Sequence, residues 1–321
     1  MVAKTIKYLI GAAGPSGYGS KSTAEDVTAA CCLRSYTAII TGATSGIGAE
    51  TARVLAKRGA RLVIPARNLK AAHDVKACIL KETPTAEIIV MELDLSSFTS
   101  IRRFATNFES LGLPLNILIN NAGKFCHQFQ LSEDGFEMTF ATNHLGHFLL
   151  TRLLLNKMVQ TADETGVQGR IVNVSSVIHS WLGKDGIQFG QLNNPKRYDA
   201  TRVYAESKLA NILHTKELSL RLKEMKANVT ANSVHPGIVR TRITRDREGL
   251  ITDFVFFLAS KLLKSIPQAA STTCYVAVHR ELHNKSGKYF SDCNEECTST
   301  LANDPKKAKE LWETSEHMIS S

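Results

Sequence analysis

The run Tyr36-Thr-Ala-Ile-Ile40, leading into Thr41-Gly-Ala-Thr-Ser-Gly-Ile-Gly48, constrains this chain more than any other segment. Its first five residues are short, mostly apolar and rich in strand formers. A helical pattern follows from Ala49 to Arg58 and stops at Gly59. Strand, glycine turn and helix, in that order, are the context a dinucleotide fingerprint needs. Gly42 allows the tight turn, Gly46 lets the backbone approach a pyrophosphate, and Gly48 lets the helix pack on the strand. The helix N-terminus offers free N–H groups and a positive dipole end to phosphates. A plain glycine turn is the competing reading, and the intact spacing argues against it.

Further strand-like runs lie at 61–64, 86–91, 115–120, 170–175 and 229–234, with helical patterns between them, notably 133–160 and 201–225. Such alternation implies a parallel sheet with helices on both faces. The expected fold class is α/β, a single Rossmann-type doubly wound parallel sheet. The chain has 321 residues and 43% hydrophobic content, enough for one large domain. The expected organisation is an N-terminal extension over 1–35, a domain over 36–300 with a lid at about 238–266, and a C-terminal tail over 301–321.

A second constellation sits in Val203-Tyr-Ala-Glu-Ser-Lys208. Tyr204 and Lys208 are four apart in a helical pattern and so share a face. A free tyrosine, with a pKa near ~10, is a poor acid or base at neutral pH. A nearby cation favours the phenolate and draws the group toward a useful value. The pair alone is a weak signal, because most such spacings are ordinary helix surface.

Together with Asn120-Asn-Ala-Gly123, these motifs resemble the short-chain dehydrogenase/reductase family over roughly residues 36–290. Within it the chain looks most like a plant branch near the dehydrogenase of the chloroplast inner-envelope translocon, and is similar to retinol dehydrogenases and WW-domain oxidoreductases. The resemblance rests further on Ala141-Thr-Asn-His-Leu-Gly-His-Phe-Leu-Leu150 and Val234-His-Pro-Gly237. It implies catalytic roles for Asn143, Ser176, Tyr204 and Lys208, with Ser175 the alternative serine. Tyr204 would exchange the proton. Lys208 would lower its pKa and hold the nicotinamide ribose. Ser176 would bind the substrate oxygen, and Asn143 would anchor a water. Implied cofactor contacts are Gly42, Thr44, Ser45, Gly46, Ile47 and Gly48 in the turn, with Asp94 and Leu95 near the adenine. Asn121, Ala122, Gly123, Tyr204 and Lys208 follow. Pro236, Gly237 and Thr241 would grip the carboxamide.

NAD selection calls for an acidic residue near the end of the second strand, and NADP selection for an arginine. Ile64-Pro-Ala-Arg67-Asn68 carries no acid, and a guanidinium suits a phosphate. NADP(H) is the expected cofactor. The expected activity interconverts a carbonyl and an alcohol on a small lipophilic substrate, with reduction the favoured direction. The alternative is a non-catalytic, nucleotide-sensing interaction protein at the plastid envelope. Trp181, Phe189 and Tyr198, between Ser176 and Tyr204, are pocket candidates or surface packing alike.

The net charge of +9 fits a pocket that draws in a polyanionic cofactor, or simply a basic protein. The basic residues are scattered and no nucleic-acid-binding pattern is present. Seven irregularly spaced cysteines argue against a disulfide framework, and Cys293 and Cys297 lack metal-ligand partners. No apolar run reaches the ~18–20 residues of a membrane span. Residues 1–10 and Phe254-Val-Phe-Phe-Leu258 are candidates for peripheral membrane contact, with packing on their own domain preferred. The arginines at 240, 242, 245 and 247 are expected to face solvent. A cytoplasmic location is expected, the chloroplast inner envelope being the alternative, because Glu25, Asp26 and few arginines argue against a transit peptide.

Overall fold

The computed structural model describes residues 7–183, 185–239 and 263–320. Thr241 and most of the expected lid, like the apolar run at 254–258 and the four arginines, lie outside the described residues. Strands β1 (Thr37–Ile40), β2 (Arg61–Ala66), β3 (Ile88–Glu92), β4 (Ile117–Asn120), β5 (Gly169–Val174), β6 (Val229–His235), β7 (Tyr289–Ser291) and β8 (Asn294–Glu295) form one sheet. Its order is β3-β2-β1-β4-β5-β6-β7-β8. All neighbours are parallel except the β7–β8 pair. Strand order reverses at β1, which opens a crevice beyond the carboxyl ends of β1 and β4.

Period-two alternation sorts the core into layers. Ala38, Ile40, Leu62, Ile64, Ile117, Ile119 and Val172 face α1 (Gly46–Lys57), α2 (Leu69–Glu82) and α6 (Ile266–Val278). Ile39, Val63, Leu118, Ile171 and Ala231 face α3 (Phe98–Ser110), α4 (Gly146–Thr165), α5 (Ala200–Glu224) and α7 (Pro305–Ser320). Buried on both faces, these strands read as continuous apolar runs. The doubly wound fold expected from sequence is the fold observed.

Three features depart from the sequence pattern. The long helix expected over 133–160 is instead a short helix at Met138–Phe140, a π turn at Ala141–Leu145, and then α4. Gly146 makes the approach possible, since a Cβ there would overlap the Leu95 carbonyl. The extension is tied down: Ala24, Val27 and Leu33 enter the core, and the Asn294 side chain bonds both Ser16 N and Tyr18 O at 3.0 Å. The C-terminal residues form α7, which buries Leu311 and Trp312. Trp312 stacks on His214 at 5.5 Å and lies under the Arg221 guanidinium at 4.3 Å. All seven cysteines are free thiols.

Candidate active site

The glycine turn is shaped by its lack of side chains. Gly42 has φ +67°, and a Cβ there would meet Ala122 Cα at 2.7 Å. A Cβ on Gly48 would strike the Gly42 carbonyl oxygen. So Gly42 presses on the end of β4, and Gly48 lets α1 close down on the turn. Asn121 pins it from the other side, its amide donating to Thr41 O at 2.8 Å. The Thr41 hydroxyl is the hub. It accepts from the Asn121 and Ala122 N–H groups at 2.9 and 3.0 Å and meets His147 Nε2 at 2.9 Å. His147 Nδ1 reaches the Asn143 carbonyl at 3.1 Å, so Nδ1 carries the proton and Nε2 accepts from Thr41. Burial first, with Lys208 nearby, pushes the His147 pKa down to about 4 and keeps the ring neutral.

The first turn of α1 is where a diphosphate fits. Ser45 is its N-cap, with no side-chain cap hydrogen bond. By contrast Asn68, Ser97, Asp199 and Ser265 each cap α2, α3, α5 and α6 with a side chain. The α1 amides therefore keep their donors for an anion. Gly46 sits at φ +56° and carries no side chain into that space. Thr44, Ser45 and Ile47 are partly exposed around it. Next to the crevice, Asp94 holds Ser96 N and Oγ on one oxygen, at 2.9 and 2.6 Å. Its other oxygen faces Arg67 at a loose 3.9 Å, and the Arg67 side chain is 70% exposed. Leu95 is buried behind them. Asn121, Ala122 and Gly123 line the end of β4, partly exposed. This donor set and glycine cradle fit a dinucleotide.

The π turn carries Asn143, which is fully buried with its side chain spent on protein groups. Oδ1 accepts from Lys124 N at 2.7 Å, and Nδ2 donates to Lys124 O and Ser207 Oγ at 3.0 Å each. Helix α5 is laced to β5 at the same level. Ser175 Oγ donates to Lys208 O at 2.7 Å, and Lys208 Nζ and Asn211 Nδ2 both donate to Val174 O at 3.1 Å. Ser175 is buried while Ser176 is half-buried, as opposite faces of a strand end dictate. The Lys208 ammonium lies 5.5 Å from the Tyr204 ring centre. Phe125 packs on that ring at 5.4 Å.

One electrostatic expectation is reversed. Burial pushes the Tyr204 phenol up to about 12 and the Lys208 ammonium down to about 8, because desolvation penalises both charged forms more than the pair compensates. Tyr204 in this structure therefore keeps its phenol proton at neutral pH.

Of the pocket candidates between β5 and α5, Trp181 is 71% exposed. Phe189 leans on the core under α5, its ring 6.5 Å from Phe140. Tyr198 is a brace, its hydroxyl donating to Cys126 O at 2.6 Å. Pro236 and Gly237 follow β6, with Gly237 at φ +96°. Sequence reasoning missed His147 and Phe125. The only signal for His147 was its place one turn after Asn143, and Phe125 carried none.

The match to known proteins agrees with this geometry. A family model for short chain dehydrogenase covers residues 36–249. The chain is 52% identical over 97% of both sequences to the short-chain dehydrogenase TIC 32 B, chloroplastic, of Brassica napus. It is 43% identical to retinol dehydrogenase 12 of Mus musculus, over 86% of this chain and 84% of that one. Its fold superposes on an uncharacterized protein of Mycobacterium Paratuberculosis with a TM-score of 0.73 and 32% identity, covering 94% of this chain and 98% of the other. This chain belongs to the short-chain dehydrogenase family. It is an oxidoreductase of the class that uses NAD(P). The cytoplasmic expectation draws no support from the relative named chloroplastic. No helix among the described residues is long and apolar enough to cross a membrane.

Proposed function

We propose that this protein is an NADP(H)-dependent oxidoreductase that interconverts a carbonyl and an alcohol on a small lipophilic substrate. The observation that carries the reading is that Lys208 meets both the Tyr204 ring and Val174 O, two residues before Ser176, while its neighbour Ser207 takes the Asn143 amide, in a fold whose α1 keeps an uncapped N-terminus. When bound, the nicotinamide supplies or accepts the hydride. Gly42 to Gly48, with Thr44, Ser45 and Ile47, would cradle its diphosphate. Asp94, Leu95 and Asn121 to Gly123 would flank the adenine half. Pro236, Gly237 and Thr241 would hold the carboxamide.

The protein's own groups handle the oxygen. Tyr204 gives its proton to a carbonyl oxygen in reduction and takes it back in oxidation. Lys208, charged below about 8, stabilises the phenolate left behind and binds the ribose. The hydroxyl of half-buried Ser176 donates to the developing alkoxide, a preorganised contact of the kind that dominates barrier lowering. Asn143 holds the Lys124 backbone and Ser207 in register, so any water it anchors hangs from its main chain.

Arg67 supports the choice of NADP(H). It stands just past β2 with, among the described residues, no carboxylate closer than Asp94 at 3.9 Å, and its exposed fork suits a 2′-phosphate. The likeness to the chloroplastic and retinol dehydrogenases supports a plastid location and a lipophilic substrate. The test is NADPH consumption with a panel of hydrophobic aldehydes and ketones. Tight NADPH binding without turnover on any of them, or on the matching alcohols with NADP+, would turn the reading toward a nucleotide sensor.

A further inference from the structure

Gly237 takes a φ that residues with side chains rarely adopt. A Cβ there would lie 2.6 Å from Cδ of Lys264. Lys264 therefore runs along the flank of the Pro236–Gly237 turn, and its backbone N–H donates to Ile238 O at 2.9 Å. Its side chain is 2% exposed, and its ammonium lies 2.5 Å from Asp292 Oδ1. Among the described residues no hydrogen-bond acceptor is aligned on that ammonium, so the ion pair is its compensation.

Asp292 reaches it from a strained corner. It opens the two-residue hairpin between β7 and β8, where Ser291 pairs with Asn294. Asp292 has φ +50° and Cys293 φ +63°. Hairpins of this kind need positive φ at both corners and ordinarily place glycine at the second. Such strain persists only where neighbours over-determine it. Here they do. Cys293 N donates to Thr272 Oγ1 at 3.2 Å, and its buried sulfur lies 3.5 Å from Ser271 Oγ. The Asn294 amide donates to Asp292 O at 2.7 Å and to Tyr18 O at 3.0 Å, which ties the corner to the N-terminal extension. The result of this bracing is a carboxylate aimed at Lys264. On the near side, His235 Nδ1 accepts from Val177 N at 3.4 Å, next to Ser176.

We propose that Lys264 and Asp292 are a positioning pair that sets the Pro236–Gly237 turn for the nicotinamide end of the cofactor, an inference that rests on the nucleotide-binding reading above. The ion pair holds the lysine stem against Gly237, and the His235 bridge carries the same restraint to the Ser176 turn. Neither residue takes part in the chemistry.

The test compares two ligands on the full chain by calorimetry: NADPH, and adenosine 2′,5′-bisphosphate, which has the adenine end and no nicotinamide. Where wild type prefers NADH, the pair is NADH and ADP-ribose. Asp292→Asn should raise the Kd of NADPH about tenfold, the size of one lost orienting contact, and leave the bisphosphate within about twofold. Because that change strands a buried ammonium, the double variant Lys264→Met with Asp292→Asn is measured beside it and should show the same split. Equal weakening of both ligands, or unchanged NADPH affinity in a folded double variant, would overturn the proposal. A wild type that binds neither NADPH nor NADH would overturn the nucleotide reading itself.

Discussion

Ser175 donates its hydroxyl to the carbonyl of Lys208 at 2.7 Å, and so ties the carboxyl end of β5 to the helix that carries Tyr204. That bond occupies the Ser175 hydroxyl proton, whereas the next hydroxyl, Ser176, only accepts, from Ile178 N at 3.4 Å, and keeps its proton to give. Ser176→Ala should lower kcat on the order of 10²–10³-fold, the cost of one lost oxyanion donor. Ser175→Ala should cost about 1 kcal/mol of stability with a modest loss of rate. Steady-state kinetics and thermal melts on both variants check the assignment, and the opposite pattern would move the register by one.

Tyr204→Phe keeps the ring that packs on Phe125 and removes the proton. Turnover should fall roughly 10²–10⁴-fold, the range for a positioned acid or base. The Kd of NADPH should stay within about twofold of wild type. Turnover within threefold of wild type on an accepted substrate would remove Tyr204 from the mechanism.

The pH dependence follows from two displaced groups. Reduction needs the Tyr204 proton, held to about 12, and the Lys208 charge, lost at about 8. The reduction rate should therefore be steady below that value and fall as pH rises through it. Oxidation needs the Tyr204 phenolate with the Lys208 charge beside it, so its rate should climb with pH below about 8 and level off above it. Lys208→Arg keeps the charge and should flatten the fall in reduction, at the expense of geometry. A reduction profile that stays level well above pH 8 would show that the ammonium charge is not used.

Arg67→Asp should reverse the cofactor preference. The change removes a charge-assisted contact worth about 1.5–3 kcal/mol and sets a like charge against the 2′-phosphate. NADPH affinity should fall at least tenfold, and NADH should gain an acceptor for its ribose hydroxyl. Dissociation constants for both nucleotides on both proteins decide it. An unchanged ratio would mean that another side chain reads the ribose.

Local signals carried the fold. The glycine turn, the strand runs and the Tyr204–Lys208 spacing are each written within a few residues, and the parallel order follows from their alternation. What escaped was decided across long stretches of chain. The π turn at Ala141–Leu145 depends on the approach of Gly146 to Leu95 and on the clasp between Asn143 and Lys124, and no pattern in 133–160 announces it. The pairing of Lys264 with Asp292 joins residues from separate elements through a corner that lacks the usual glycine. The Tyr204 pKa was misjudged because spacing reveals a neighbouring charge but not how much water both groups lose.

The burial of Trp312 against Phe148 and His214 has a consequence for how the protein is made. A ribosome completes the whole nucleotide crevice, from β1 to β6, long before it reaches residues 305–320. Until then the outer side of α4 and α5 stands uncovered, an apolar strip of the kind that holding chaperones grip. Of the described elements, the one that shuts this strip is the last to be made, and a ribosome stalled before Trp312 would leave a recognisable, degradable intermediate and not a slightly shortened enzyme.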